Sequence, residues 1–462
     1  MTDTALIADP AECERFLADN PHIQFIEVFF TNMCGVPRGK RLRRHEIQAV
    51  YDYGRFLPGS ICVVDTTGQD CEETGLVWED GDADRLARPV PGTLVPAPWL
   101  GADVAQVMLS LYELDGRPND LDPRHVLRRV LDRFAADGLT PVVACELEYY
   151  LVDAERTADG GIQLPRSPVS GARPHGHQVY GLRELEDAAA FLRDLYAAAD
   201  AQGLPLEGAI SEYAPGQLEL TLKHKPDALR AADDGVMYKR AAKGVANRHG
   251  CEATFMAKPF ADHAGSGFHI HVSVNDAQGR NVMASEDPEG SPALKQAIAG
   301  MKAMLGEGMA IFAPNANSFR RFKANSYAPV APTWGVNNRT VSLRVPAGPP
   351  STRHIEHRVA GADANPYLAL ACVLAAVHHG ISNRLDPGPA VVGNGYAVAE
   401  TSGERLPNNW FAAVDLFEQS ALMKEYLGER FVHMYSCVKR TEQARFFEVV
   451  TALDYDWYLR NA

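Results

Sequence analysis

Apolar positions recur along this chain in short runs up to about residue 115 and in longer periodic stretches beyond it. Asp9-Pro10 followed by Ala11-Glu12 supplies an N-cap acceptor, a proline at the first helical position and an acid in the first turn. A short helix is expected to start there and to end near Asn20-Pro21. Positions 23–30 are rich in β-formers and 32–39 carry turn chemistry, which predicts a hairpin leading into 40–42. The apolar run 105–114 reads as a further strand, and Asp115-Gly116-Arg117-Pro118-Asn119-Asp120 then breaks the pattern. Pro123 opens a helix through about Asp137, and helices over 183–202, 225–249, 292–306 and 365–385 alternate with strand-like segments. The expectation is an α+β protein around an antiparallel or mixed sheet, divided into residues 1–115 and 116–462.

With 462 residues, 46% hydrophobic and 23% charged, the chain has room for a large core and is not expected to be disordered. A formal charge of −14 argues against a nucleic-acid surface, so any phosphate contact must be local. The eight cysteines form no Cys-x-x-Cys pair, which removes zinc-ribbon and redox-motif readings and fits a reducing compartment. Residues 1–9 lack a basic and an apolar region, and no stretch reaches the ~20 apolar residues of a membrane helix. A soluble, cytoplasmic protein is expected.

The chemistry sits in four segments. Glu146-Leu147-Glu148 lies in the strand-like run 142–152, so both carboxylates stand on one face and Leu147 on the other. Two such ions ~4 Å apart repel by roughly 4 kcal/mol at an effective dielectric near 20, and burying them calls for cations. Glu212-Tyr213-Ala214-Pro215-Gly216-Gln217-Leu218-Glu219 places a Pro-Gly type II turn between two acids, returning the second toward the first. A glycine pair, Gly265 and Gly267, feeds a strand on which His269, His271 and Ser273 share a face. Carboxylates dominate this set, which favours Mg²⁺ or Mn²⁺ over zinc. Arg320, Arg321, Arg339, Arg344, Arg353 and Arg358 follow, the last two flanking Glu356, and suit planar anion clamps. Taken singly, each segment also has an ordinary reading as a solvated strand face, a common hairpin or a structural ion pair. Together, metal-binding carboxylates and anion-binding arginines are what phosphoryl transfer from ATP requires, although no Walker-type loop is present.

The order Glu146-x-Glu148, Glu212-Tyr-Ala-Pro-Gly-Gln-x-Glu219, Lys258-Pro259, Gly265-Ser-Gly-Phe-His-Ile-His271, Asn338-Arg339, Leu343-Arg-Val-Pro346 and Ile355-Glu-His-Arg358 leading to Asn365-Pro-Tyr367 resembles the glutamine synthetases of the bacterial type over nearly the whole chain. The resemblance implies a small N-terminal β-grasp domain, a larger catalytic domain, and active sites between neighbouring subunits of a dodecamer made of two hexameric rings. By position it implies that Glu148, Glu212 and Glu219 hold one divalent cation and Glu146, His269 and Glu356 the other. It further implies nucleotide contacts from Glu207, His271, Ser273 and the Arg344 and Arg353 region. Arg321 and Arg358 would clamp L-glutamate beside Gly265, and Arg339 and Arg344 would steady the transferring phosphoryl group. ATP would convert the γ-carboxylate of glutamate into an acyl phosphate that an amine then attacks.

The departures concern the amine. Ammonia-using members carry an aspartate in a Phe-Asp-Gly-Ser-Ser-Ile stretch, where this chain reads Phe56-Leu57-Pro58-Gly59-Ser60-Ile61. They carry a glutamate just before Ala-Pro, where this chain has Tyr327 ahead of Ala328-Pro329. Losing both acids weakens a pocket for a small hydrated cation, and an apolar or aromatic wall suits carbon at roughly 0.8 kcal/mol per CH₂. The expected donor is therefore an alkylamine, ethanolamine or a polyamine, with an ammonia-using glutamine synthetase as the alternative and a catalytically silent sensor as a reading of another class. Ala264 replaces an asparagine near glutamate, His354 replaces an arginine near ATP, and the segment around Tyr396 lacks the Asp-Leu-Pro of adenylylated enzymes. Glu212 survives and is expected to serve both as a metal ligand and as part of the amine site, and Tyr180 lies near the place of an amine-site tyrosine.

Overall fold

The computed structural model describes residues 6–462; positions 1–5 of the N-terminal stretch read above lie outside the described residues. Two sheets organise the molecule. The first contains β1 (Phe25–Thr31), β2 (Pro37–Arg43), β3 (Arg55–Pro58), β4 (Asp84–Pro89), β5 (Val95–Pro96) and β6 (Val104–Tyr112). Its order is β2-β1-β6-β4-β3 with β5 on β6, and β1 runs parallel to β6. The expected first hairpin is present, with Phe25 opposite Arg43 and Thr31 opposite Pro37.

The second sheet contains β7 (Thr140–Asp153), β8 (Leu206–Ser211), β9 (Gln217–Leu222), β10 (Cys251–Thr254), β11 (Phe268–Asn275), β12 (Trp334–Val336), β13 (Leu343–Val345) and β14 (Ile355–His357). Its order is β12-β13-β14-β11-β7-β9-β8, with β10 also on β7. Only the β12–β13 pair is parallel, so the sheet is mixed. β7 alternates as expected: Leu147 and Tyr149 are fully buried, while Glu146 and Glu148 face the opposite side. The buried side packs under the helix Ala228–Arg248, where the Cys145 thiol reaches the Ala231 carbonyl oxygen at 3.9 Å.

Helix starts follow their caps. The side chains of Asp9, Asp122, Ser291 and Asn365 accept from backbone N–H groups at the heads of Pro10–Asp19, Pro123–Ala136, Pro292–Met304 and Pro366–Ser382. Two expected helices differ. The stretch 183–202 is broken at Ala188 into Leu182–Asp187 and Ala189–Gln202. The helix expected from Lys225 begins only at Ala228, because Pro226 disfavours helical backbone at Lys225, which bridges to Val143, and Asp227 caps the helix through the Arg230 N–H. A short strand forms over Leu343–Val345, and ahead of it the Asn338 side chain accepts from the Thr340 N–H at 3.0 Å and holds a turn. Beyond residue 385 the sequence reading named no elements, yet Trp410–Gln419, Ala421–Leu427, Glu429–Glu448 and Ala452–Tyr458 are helical.

The boundary segment is a folded turn. The Glu113 N–H donates to the Arg117 carbonyl and the Asn119 N–H to the Leu111 carbonyl, so the chain doubles back on β6. The first sheet is tied to the remainder by the Asn365 amide donating to the Asn32 carbonyl at 3.0 Å and by an Arg445–Asp65 ion pair at 2.6 Å. A network absent from the sequence reading also binds helix to helix: buried Arg124 pairs with Asp233 at 2.9 Å, and the Tyr367 hydroxyl donates to the same carboxylate at 2.7 Å. All eight cysteines are free thiols. Among the described residues no helix is long and apolar enough to cross a membrane.

Candidate active site

Strand register builds the site. Glu148 on β7 lies directly opposite Glu219 on β9, and Glu146 lies opposite His269 on β11. His271 lies opposite Glu356 on β14, and Glu356 in turn opposite Arg344 on β13. Directly opposed residues of neighbouring strands share a face, so distant segments deliver one row of acids, imidazoles and a guanidinium to one side of the sheet.

Within this row the ligand atoms of Glu146, His269 and Glu356 lie within 4.8 Å of one another, as do those of Glu148, Glu219 and His269. The first set is the one implied by the sequence. In the second, His269 takes the place expected of Glu212, which stands just beyond β8 with its carboxylate accepting from the Tyr213 N–H at 3.2 Å. The turn that separates Glu212 from Glu219 forms as expected, with the Gln217 N–H donating to the Ala214 carbonyl and Gly216 at φ +76°.

The electrostatics are those of a cradle for cations. Burial, reinforced by the charges of Glu146, Glu148 and Glu212, pushes Glu219 up to about 11. Burial and the charge of Glu148 push Glu212 up to about 7. On the other side of the row, burial is outweighed: hydrogen bonds from His269 (2.6 Å) and His271 (3.2 Å) hold Glu146 well below the usual carboxylate range. Glu356 is likewise brought down to about 2, against its burial, by Arg358, His269 and His271. A set of four glutamates and one imidazole, in which one acid keeps its proton because its neighbours are ionised, fits hard divalent cations. His269 Nδ1 lies 2.6 Å from Glu146 and 3.7 Å from Glu356, while Nε2 stands 3.8 Å from Glu148, so the ring has one nitrogen toward each set.

The supporting residues explain the glycines. The Gly267 N–H donates to Glu148 at 2.7 Å, and a Cβ at Gly267 would stand 2.8 Å from both His269 Nε2 and the Arg321 guanidinium. A Cβ at Gly265 would meet the Arg321 stem at 2.6 Å. Gln217, which the sequence reading passed over, donates to Glu148 at 3.3 Å and to the Gly265 carbonyl at 3.1 Å. Its position two residues before Glu219, on the same strand face, was the available signal.

The arginines divide. Arg344 and Arg358 both grip Glu356, Arg344 at 2.7 Å. Buried Arg321 donates to the carbonyls of Val359 (2.7 Å), Ala360 and Arg358, so part of its hydrogen-bonding capacity serves the backbone. Arg353 is buried and donates to the Gly348 carbonyl at 3.1 Å. Arg339 lies apart from the carboxylate row, in the turn before β13, and lines an open depression of about 860 Å³ together with Tyr327, Asn337 and Asn338. Tyr327 is exposed, at φ +58°. Ser273 follows His271 on the same face of β11, and Glu207, at the start of β8, is exposed with its charge felt at His224.

On the amine side the outcome is mixed. Leu57 is buried in the N-terminal sheet and presents no wall, whereas Phe56 and Pro58 are exposed. The Tyr180 N–H donates to the Ser211 carbonyl at 2.9 Å, which sets this exposed tyrosine next to Glu212, and Tyr213 stacks on His177 at 4.5 Å between ring centres. Tyr396 is buried with its hydroxyl donated to the Ala328 carbonyl at 3.0 Å.

Comparison with known proteins agrees with this geometry. Residues 120–458 match the glutamine synthetase catalytic domain. The chain is similar to gamma-glutamylputrescine synthetase of Escherichia coli (strain K12), 40% identical over 98% of this chain and 95% of that protein. It is similar to gamma-glutamylethanolamide synthetase of Streptomyces coelicolor, 34% identical over 95% of this chain and 92% of that protein. A solved structure of GmaS without ligand superposes with a TM-score of 0.83 at 28% identity, covering 96% of this chain and 98% of the other. Having the catalytic-domain match, whole-length relatives and the carboxylate row in register, the chain belongs to the glutamine synthetase family.

Proposed function

We propose that this chain is an ATP-dependent carbon–nitrogen ligase that joins the γ-carboxylate of L-glutamate to a primary amine larger than ammonia, through a γ-glutamyl phosphate. A carboxylate is a poor acyl donor, so the γ-phosphoryl group of ATP is first transferred to it. The amine then attacks the acyl carbon, phosphate leaves and an amide remains. Glu148, Glu212 and Glu219, with His269 at hand, would hold one divalent cation, and Glu146, His269 and Glu356 the other. Bound there, Mg²⁺ or Mn²⁺ lowers the repulsion between the two reacting anions. Arg344 and Arg339 would steady the transferring group, Arg358 and Arg321 the glutamate beside Gly265. Glu207, His271, Ser273 and Arg353 would line the nucleotide. Glu212, set next to the exposed Tyr180, would also face the attacking amine.

The choice of amine is carried by one observation: an acid-rich cradle is present while Tyr327, exposed beside Arg339, stands where ammonia-using members have an acid. A polyamine is favoured within the class by the putrescine-named relative at 40% identity over nearly the whole chain. Division into residues 1–115 and 116–462, with a β-grasp first domain, is supported by the separate sheets and by the family match beginning at 120. Assembly into a dodecamer is supported by exposed apolar residues in the C-terminal segment, Phe447, Val449, Val450, Leu453 and Trp457 among them. Free thiols support a cytoplasmic setting.

The test measures ADP release with ATP, Mg²⁺ and glutamate against ammonium, methylamine, isopropylamine, ethanolamine and putrescine. A kcat/KM for one of the organic amines at least tenfold above that for ammonium is expected. Preference for ammonium would overturn the assignment, and no ADP release with any donor would restore the sensor reading.

A further inference from the structure

Beside the carboxylate cradle stands a second set of ligands of different chemistry. His224 follows the end of β9, His271 lies on β11 and His354 immediately precedes β14, and one ring nitrogen of each lies within 4.8 Å of the other two. The rings of His224 are 5.8 and 5.5 Å, centre to centre, from those of His271 and His354. His271 Nδ1 faces His354 Nε2 at 3.1 Å.

The outer nitrogens fix what the inner ones can do. His354 Nδ1 lies 2.8 Å from the Thr352 carbonyl oxygen, which only accepts, so the proton sits on Nδ1 and Nε2 turns a lone pair inward. His271 Nε2 lies 3.2 Å from the Glu146 carboxylate, again an acceptor, so that nitrogen carries a proton and Nδ1 faces inward, toward His354. A cation between these two inner nitrogens would take the place of the proton that otherwise joins them. Their separation is close to the ~3.3 Å edge of a tetrahedron with Zn–N bonds of about 2.0–2.1 Å. A ring oriented by a carboxylate and another oriented by a backbone carbonyl form the outer arrangement that metal-bound imidazoles use. His224 is exposed and gives an ion a route in.

We propose that His224, His271 and His354 form a third cation site, distinct in chemistry from the carboxylate pair and suited to a Zn²⁺-type transition metal, with water as the fourth ligand. Three imidazoles favour a borderline metal over Mg²⁺, which prefers oxygen ligands. An ion held there would occupy His271 and so oppose ATP; that consequence, unlike the site itself, rests on the nucleotide role proposed above.

The experiment uses the full-length protein, stripped by chelation and returned to excess Mg²⁺ to fill the carboxylates, then titrated with Co²⁺ as a visible probe. One equivalent is expected to give the intense bands of tetrahedral Co²⁺, displaced by Zn²⁺. H224Q and H354Q should each weaken binding by at least about tenfold, while E219Q changes it less than about twofold, as expected for a separate site. Only weak octahedral bands, or a signal lost in E219Q and kept in both histidine variants, would overturn the proposal. In wild type Zn²⁺ should raise KM for ATP; intact tetrahedral bands with KM unchanged would uphold the site and count against the nucleotide role of His271.

Discussion

Glu219→Gln separates the two states of the carboxylate cradle. Without cations Glu219 holds its proton, because burial and three neighbouring carboxylates push it up to about 11. A second charge facing Glu148, with ligand atoms within 4.8 Å, would cost about 3.5 kcal/mol at an effective dielectric near 20. Glutamine copies the neutral acid in shape and keeps a donor, so the variant in EDTA should unfold within about 0.5 kcal/mol of wild type. With Mg²⁺ the two part. At a concentration 100 times its Kd, the ion adds about 2.7 kcal/mol to wild type. If loss of one anionic ligand weakens binding about 100-fold, the same concentration adds only about 0.4 kcal/mol to the variant. An unfolding entropy of about 2.1 cal/mol/K per residue over 462 residues makes 1 kcal/mol worth about 1 °C. Scanning calorimetry should therefore find nearly equal Tm values in EDTA and a gap of about 2 °C in Mg²⁺. A variant that melts several degrees lower in EDTA, or that retains the whole Mg²⁺ shift, would refute the account of Glu219 as a protonated ligand in waiting.

Glu212, raised to about 7, gives a pH dependence of definite sign: between its ordinary 4.5 and about 7 the folded state holds a proton that the unfolded chain releases, so cation-free stability falls as pH rises through that window. Mg²⁺ affinity moves the opposite way, the ionisation of Glu212 alone contributing about tenfold between pH 6 and 8, and calorimetric titration in two buffers should record the protons that Glu212 and Glu219 release. Gly267→Ala drives a Cβ to 2.8 Å from His269 and Arg321, which should cost about 1–3 kcal/mol of stability by denaturant unfolding and more than about tenfold in kcat. Tyr327→Glu restores an acid on the amine side and should raise kcat/KM for ammonium by about tenfold, the value of one hydrogen bond to a charged group, while lowering it for the preferred organic amine.

What was legible in the sequence was local. The alternation around Leu147 put Glu146 and Glu148 on one face, Pro215-Gly216 set the turn, and Asp9-Pro10 and Pro123 marked helix starts. The pairing of Glu148 with Glu219 and of His271 with Glu356 was not, because register joins segments 71 and 85 residues apart. The break at Ala188 and the late start at Ala228 were missed because helical periodicity continues through positions where backbone geometry stops it. Arg321 shows the limit for side chains: its identity fits an anion clamp, but only the fold reveals that the carbonyls of Val359 and Ala360 already hold part of its guanidinium. His224 carried no sequence signal, since it becomes a neighbour of His271 and His354 only once β9, β11 and β14 are laid side by side.

Register makes the site's stability and its chemistry one problem. A one-residue slip of β11 against β7 would turn His269 and His271 into the core and Phe268 and Ile270, both fully buried, into the acidic row. The Glu148 N–H donating to the Gly267 carbonyl and the Gly267 N–H donating to the Glu148 carboxylate pin this alignment at the point where the acids begin. The apolar face thus pays for an arrangement that the polar face opposes, because each carboxylate added to the row raises the next. Cations remove that opposition, which, together with burial, displaces Glu219 and Glu212 upward when none is bound. Replacing these acids by neutral residues should leave the cation-free protein no less stable and the ligase inactive, since the acids are kept for the cations and not for the fold.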